Sequence, residues 1–404
     1  MTKCSIIGDG VGMKTILFCE FDGLGEKQIE KVLSNFGYNV VTYKRKCENY
    51  DTDKSYYDSL LAMIDSEKPQ YVFSINYLPI VAKVCRVYRI LYISWIYDSP
   101  ELHLYSSSVK SPYNRIFLFD KLQYERFHHV NPESFFYMPL ATEPMSLQDM
   151  DSITAKEREQ YNADVVFIGS LYNETNKNFH DIKKLNPYIK GWIESVANSQ
   201  SLVQGYNFIE DALTDELVES IKTGLQYELI DDYEGADKEI IADIYIGSYA
   251  SYKDRVCTLQ KIAKKYPLTI YTGSDTSELN GVINKGIAYT DSMMPKIFNQ
   301  AKININITSK TIRSGIPLRV FDVLGSRGFL ITNYQPELLD YFEPGKDLVI
   351  YNSHDELDEL IGYYLKHDNA RENIAEHGWN TVRENYTYEK MISLIFEFVK
   401  NKIS

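Results

Sequence analysis

The chain has 404 residues, with 43 Lys and Arg against 56 Asp and Glu for a formal net charge of −13. At roughly 100–200 residues per domain, that length makes two domains, or three small ones. Apolar residues at 44% and charged residues at 25% are ordinary globular usage, which excludes disordered and collagen-like architectures. The negative balance repels phosphate backbones and anionic lipid, so neither nucleic acid nor a membrane surface is expected as the main partner.

The uncharged runs, 71–82 among them, are all shorter than the roughly 20 apolar residues a membrane helix needs. No integral membrane segment is therefore expected. Residues 1–14 carry Asp9 and several glycines where an export signal needs an apolar stretch. Five cysteines, Cys4, Cys19, Cys47, Cys85 and Cys257, show no C-x-x-C spacing, and an odd number cannot all pair within one chain. A reducing cytoplasm is the expected location.

In chain order, apolar runs alternate with amphipathic segments, the pattern of βαβ units around a parallel sheet. Strands are predicted at 14–20, 38–43, 71–75, 91–97, 116–119 and 135–138, with helices at 28–36, 56–64, 80–88 and through His129. Residues 139–151, with two prolines and no periodicity, read as a linker. A second alternation starts at 164–168 and is interrupted by a helical, acidic insertion at about 178–239. Strands follow at 241–246, 268–271, 303–307, 329–332 and 348–351, and helices at 255–265, 294–300, 317–324, 355–365 and 371–384. Met391, Leu394, Ile395, Phe398 and Val399 recur at helical spacing and form one apolar stripe. Two phrases, Ala163-Asp164-Val165-Val166-Phe167-Ile168-Gly169-Ser170 and Ala242-Asp243-Ile244-Tyr245-Ile246-Gly247-Ser248, both read as strands ending at Gly-Ser.

The fold class is α/β, with two Rossmann-like doubly wound domains. In such sheets ligands sit beyond the carboxyl ends of the strands, which directs attention to residues 304–333. Asn306 is a candidate for lining a crevice there, with backbone hydrogen bonding as the alternative role for it and Asn304. Ser314-Gly315-Ile316-Pro317 opens a helix, whose bare N–H groups suit phosphate oxygens. Arg319 and Asp322, three apart, share a helix face and offer a cation for phosphate beside a carboxylate for ribose, or else an ion pair with each other.

Gly8-Asp9-Gly10-Val11-Gly12 lacks the strand-before, helix-after context of a dinucleotide fingerprint and reads as a turn or a leader. There is no P-loop. Asp51-Thr52-Asp53 and Asp149-Met150-Asp151 spell D-x-D, yet one precedes a helix, where Asp caps N–H groups, and the other lies in the linker. Both read as structural. The seven His, at 103, 128, 129, 180, 354, 367 and 377, form no zinc-ligand spacing, so no metal site and no cofactor are expected. Carboxylates after strands of the first domain, Asp98 and Asp22, are the candidate general bases.

Residues 301–342, with Lys302-Ile303-Asn304-Ile305-Asn306-Ile307-Thr308, Ser314-Gly315-Ile316-Pro317-Leu318-Arg319 and Gly328-Phe329-Leu330-Ile331-Thr332-Asn333, resemble the bacterial CgeB-like, spore-maturation-type glycosyltransferases. The likeness extends upstream to Phe167-Ile168-Gly169-Ser170-Leu171-Tyr172-Asn173 and downstream to Tyr386-Thr387-Tyr388, and reaches the N-terminal half, similar to that of clostridial members, only through Asp98-Ser99-Pro100. It implies a GT-B fold: an acceptor-side domain at 1–145, a nucleotide-sugar domain at 146–385 with a family-1-like transferase core, and a terminal helix at 386–404 packing back on the first domain. It implies donor contacts at Arg319, Asp322, Lys253, Arg255, Gly169 and Ser170, the nucleobase near Thr272 and Gly273, and no bound metal. Many relatives carry Glu at the position of Asp322 and Gly-Gly at Arg327-Gly328.

The function so implied is transfer of a sugar from a nucleotide diphosphate, a UDP-sugar such as UDP-GlcNAc or UDP-glucose, to a protein or cell-surface glycan acceptor. Two alternatives stay open at this level: a UDP-sugar epimerase of the same architecture, and a degenerate transferase acting as a binding partner through its insertion.

Overall fold

In a computed structural model, residues 14–21, 23–175, 178–225, 236–289 and 292–401 are described. The chain divides into two compact units. The first holds the described residues up to Ala141 together with those from Thr387 onward, and the second holds those between Thr142 and Tyr386.

The first unit alternates strand and helix as β1 (Thr15–Glu20), α1 (Glu26–Asn35), β2 (Asn39–Lys44), α2 (Lys54–Glu67), β3 (Tyr71–Ile75), α3 (Pro79–Tyr88), β4 (Leu91–Trp95), β5 (Asn114–Leu118), α4 (Lys121–His128) and β6 (Phe135–Tyr137). The sheet order is β2-β1-β3-β4-β5-β6, and every pairing is parallel. β3 is buried along its whole length, as a strand covered by helices on both faces must be. Its apolar run, Tyr71-Val72-Phe73-Ser74-Ile75, is the sequence record of that burial.

The second unit opens with α5 (Leu147–Asp151) and α6 (Ala155–Tyr161), then β7 (Ala163–Ile168). The helical insertion follows as α7 (Pro187–Ser201), α8 (Ile209–Ala212), α9 (Asp215–Leu225) and α10 (Asp237–Ile240). α11 (Ser248–Ala263), β8 (Leu268–Tyr271), β9 (Val282–Asn284), α12 (Met294–Gln300), β10 (Ala301–Asn306), α13 (Leu318–Gly325), β11 (Leu330–Asn333), α14 (Leu338–Tyr341), β12 (Val349–Tyr351), α15 (His354–Tyr364) and α16 (Asp368–Asn385) complete it. Its six strands, again parallel, run β12-β11-β10-β7-β8-β9. The chain leaves β7 toward one edge and β10 toward the other, so the topological switch point lies between those two strands.

α17 (Tyr388–Asn401) returns to the first unit. Phe396 stacks on Tyr38 at 5.1 Å between ring centroids and meets Tyr71 edge-on at 5.6 Å. The buried face is Met391, Ile392, Ile395, Phe396 and Val399, while Phe398 remains 42% exposed. The apolar stripe expected through Leu394 and Phe398 is therefore rotated by about one residue.

Three other expectations are corrected. Residues 241–246 are not a strand: Ile241–Gly247 is a π-helical segment running into α11, so the second Gly-Ser phrase does not end a strand. A short apolar run does not distinguish a buried strand from a buried helix, and here Ile241, Ala242, Ile246 and Ala250 pack into the core of the insertion with Ile189 and Ile193. The wide turn brings backbone close at Gly247, where a Cβ would sit 2.9 Å from Ala242 O. The stretch 139–151 is not all linker, because Ser146 and Asp149 form a capping box that starts α5. The short exposed edge strand β9 has no counterpart in the sequence reading. Gly8 to Gly12 lie outside the described residues.

Candidate functional site

The second unit's switch point is spanned by one side chain. Arg255, in the second turn of α11, donates from Nε and Nη2 to Ile307 O at 3.2 and 2.8 Å, and from Nη1 to Ser170 O. Ile307 follows β10 and Ser170 follows β7, so the guanidinium bridges the two loops that bound the crevice. Its Cζ lies 4.4 Å from the centroid of the Tyr172 ring, a cation–π contact. Gly169 leaves room beside it, since a Cβ there would stand 3.6 Å from Arg255 Nη1 and 3.3 Å from the Phe167 ring.

The loop after β8 joins this group. Ser170 Oγ donates to Glu174 Oε1 at 2.6 Å, and Ser274 Oγ donates to the same oxygen. Thr272 Oγ1 accepts from Ser274 N–H at 3.0 Å, and a Cβ on Gly273 would meet Ile287 at 3.1 Å. Gly169, Ser170, Arg255 and Thr272 are thus brought together at one edge. Lys253 is not part of the cluster: its Nζ sits 5.0 Å over the Tyr249 ring, because residues two apart on a helix do not share a face.

The loop from β10 to α13 is fastened from several directions. Thr308 N–H donates to Asn333 Oδ1 at 2.7 Å. Lys310 Nζ pairs with Asp254 Oδ2 at 2.9 Å, with side-chain exposures of 5% and 0%, and reaches Val203 O and Gln204 Oε1 in the insertion. Arg313 pairs with Glu210 and Asp243 at 2.6 and 2.7 Å. Ser314 Oγ donates to the buried Glu337 at 2.6 Å, ahead of Gly315, the buried Ile316 and Pro317, which caps α13. The insertion is therefore a brace for this loop. Asn306 is occupied internally, its Nδ2 donating to Thr308 and Thr332 hydroxyls at 3.0 and 2.9 Å. Asn304 clamps the Phe298 and Phe329 carbonyls.

Burial alone would raise the Asp254 carboxyl, but the Lys310 ammonium and His354 outweigh it and hold it below the usual carboxylate range. On α13, Arg319 Nη1 lies 3.3 Å from Asp322 Oδ2 and its guanidinium is 5.2 Å from the Phe298 ring centroid. Thr142 Oγ1 donates to Asp322 Oδ1 at 3.0 Å. Burial pushes Asp322 above its ordinary range, against the pull of Arg319 and Thr142. Burial likewise lowers Arg319, Asp322 opposes that, and the Arg255 charge adds to it, so both arginines share one electrostatic neighbourhood.

In the first unit, Asp98 follows β4 and is exposed. Asn76, after β3, holds it: Nδ2 donates to Asp98 Oδ2 at 2.7 Å, while Asn76 Oδ1 accepts from the Tyr97 and Asp98 N–H groups at 2.8 and 3.1 Å. Asn76 has φ 57°, a conformation Asn tolerates better than most residues. Directly after the cis Ser99-Pro100 pair, Glu101 Oε1 accepts from His103 Nδ1 at 2.6 Å. Burial opposes protonation of His103, and the Glu101 carboxylate more than offsets it and raises the imidazole. Asn76 and Glu101 carry no sequence signal beyond the β3 strand end ahead of Asn76, and His103 stands in the sequence only as one of seven His without ligand spacing. Asp22 lies outside the described residues. Asp53 accepts the Tyr56 N–H at the start of α2, and Asp149 belongs to the α5 capping box, so both D-x-D spellings have capping roles. Among the described residues, no three His, Cys, Asp or Glu side chains gather as a metal site, and no helix is long and apolar enough to cross a membrane.

A protein-family model described as glycosyl transferase-like matches residues 255–397, from Arg255 at the switch point into the terminal helix. No curated protein sequence matches the chain. Among solved structures, the chain is similar to Alr3699/HepE of Anabaena in complex with UDP and glucose, at 9% identity and TM-score 0.56, covering 96% of this chain and 100% of that one. Sucrose-phosphate synthase of Thermosynechococcus elongatus matches at 9% identity and TM-score 0.57, over 96% and 98%. A glycosyltransferase of Rickettsia africae matches at 11% and 0.53, over 98% and 100%. The fold is GT-B: two parallel six-stranded sheets, each surrounded by helices.

Proposed function

We propose that the protein is a cytoplasmic glycosyltransferase of the CgeB-like kind, moving a sugar from a nucleoside diphosphate, a UDP-sugar such as UDP-glucose or UDP-GlcNAc, to a protein or cell-surface glycan acceptor without a bound metal. The observation that carries this reading is Arg255 spanning the switch point between β7 and β10, where open α/β sheets take their ligands. The glycosyl transferase-like match beginning at Arg255 supports it, as does the UDP named with the Anabaena neighbour.

In this reading Arg255 and Arg319 face the diphosphate. Their charges stabilise the negative charge that develops as the bond to the sugar breaks, and a fixed guanidinium does so without reorganising. The Ser314 to Pro317 turn offers backbone N–H groups to the same phosphates. Asp322, already bonded to Thr142, accepts from a ribose hydroxyl, and Thr272 and Gly273 border the base. On the first unit, Asp98 takes the proton of the attacking acceptor hydroxyl, with Asn76 fixing its orientation.

Release of UDP from radiolabelled UDP-glucose and UDP-GlcNAc, in the presence of a chelator, tests this reading. The expected result is slow release from one donor, lost in Arg319→Ala. Intact donor in every case with a folded protein, or release that Arg319→Ala leaves unchanged, would overturn it.

A further inference from the structure

Between α11 and α15 the second unit holds a cavity of about 160 Å³ that the proposed transfer does not use. Ile262, Leu357 and Ile361 form its floor, and Lys261, Lys264 and Lys265 stand at its rim. An engineered apolar cavity of about 150 Å³ holds benzene, so this space admits a six-membered ring. The three ammonium groups face only two carboxylates, Asp355 and Asp358, and Lys265 is paired with Asp358 at 2.5 Å. The rim is net positive in a chain that carries −13.

His354 connects the cavity to the interior, with its side chain 7% exposed. Lys261 Nζ is 3.0 Å from His354 Nδ1. An ammonium can only donate, so Nδ1 accepts and the ring proton resides on Nε2. That nitrogen meets Thr258 Oγ1 at 2.8 Å and lies 3.6 Å from Asp254 Oδ1, and Asp254 in turn holds Lys310. An exposed ammonium resting on a buried imidazole nitrogen is easily drawn away by an anion, since a charge-assisted bond to an anion is stronger than one to a neutral acceptor.

We propose that this cavity binds a small organic anion with an apolar ring or chain. Its charged end lies on Lys261 and Lys264, its body on Ile262, Leu357 and Ile361, and His354 registers it when Lys261 turns to the ligand. The site is separate from the switch-point crevice and stands whether or not sugar transfer does.

Calorimetric titration of the full chain with phenyl phosphate tests it, beside inorganic phosphate and benzyl alcohol as the two halves of the probe. One saturable site is expected, about tenfold tighter than for either half, and weakened about tenfold by Lys261→Ala, the scale of one charge-assisted hydrogen bond. Lys261 is exposed, so the variant should fold. The imidazole nitrogen resonances of His354 should move on saturation. Inorganic phosphate binding as tightly as phenyl phosphate, binding indifferent to Lys261→Ala, or displacement by UDP would overturn the proposal.

Discussion

The two sheets share the same parallel construction, and the loops at their carboxyl edges are built in opposite ways. In the second unit that edge is a buried, cross-braced polar network: Asp254 on Lys310, Arg313 on Glu210 and Asp243, Ser314 on Glu337, Arg255 across two loops. In the first unit it carries an exposed Asp98 held by Asn76, with Glu101 and His103 beyond it. A fixed array of charge suits one ligand of constant shape, such as a diphosphate, and fixing it in advance removes the reorganisation cost at the moment of reaction. An open edge suits a group that must accept varied geometry. Substitutions should then cost stability at the second edge and activity alone at the first.

The largest expected loss is Asp254→Ala, which strands a buried Lys310 ammonium and should cost about 3–5 kcal/mol in urea unfolding. Because the Asp254 carboxyl is held below its ordinary range, its contribution is in place above about pH 4 and is lost as pH falls through the folded value. A denaturation midpoint that Asp254→Ala leaves unchanged would break the contrast between the two edges. Phe396→Ala, removing the ring that packs on Tyr38 and Tyr71, should destabilise the first unit by a comparable or smaller amount, about 3 kcal/mol, without altering nucleotide binding.

Asp322→Asn sharpens the comparison. Burial raises this carboxyl, so the ionised form weakens the fold at neutral pH, and stability from this group falls as pH rises through the raised folded value. The amide keeps an acceptor for Thr142, and stability at pH 7 should change by less than about 1 kcal/mol. Nucleotide affinity should fall about tenfold if the carboxylate meets ribose. Asp98→Asn should leave unfolding unmoved, since the side chain is exposed, while slowing transfer by about 10²-fold or more as a lost general base. Measurable destabilisation in Asp98→Asn would mean that the first edge is braced as well.

Much of the fold was legible in the sequence because periodicity reports burial directly. β3 is buried along its whole length and reads as an apolar run, and α1 buries Ile29, Val32 and Leu33 at helical spacing. The same signal fails at Ile241–Gly247, where an apolar run fills the insertion core as a helix. Arg327 shows another limit: it takes φ 57° where the resemblance has glycine, and nothing local in the sequence shows that a side chain is tolerated there. At the site, strand ends pointed to the loops after β7, β8 and β10, which the structure brings together around Arg255. The partnerships within them did not show, because Lys310 with Asp254 and Arg313 with Asp243 join residues far apart in sequence. Asn306 illustrates the converse, a polar residue at a strand end whose hydrogen bonds are spent on Thr308 and Thr332.

The central claim, that the second unit's switch point holds a nucleoside diphosphate, is tested most directly by thermal shift with UDP, GDP, dTDP, CDP and ADP, without added metal, on the wild type and Arg319→Ala. Binding to the folded state raises the melting temperature by linkage. A rise with one nucleotide is expected, and Arg319→Ala should abolish it. No rise with any of the five in a folded sample, or a rise that survives Arg319→Ala intact, would contradict it.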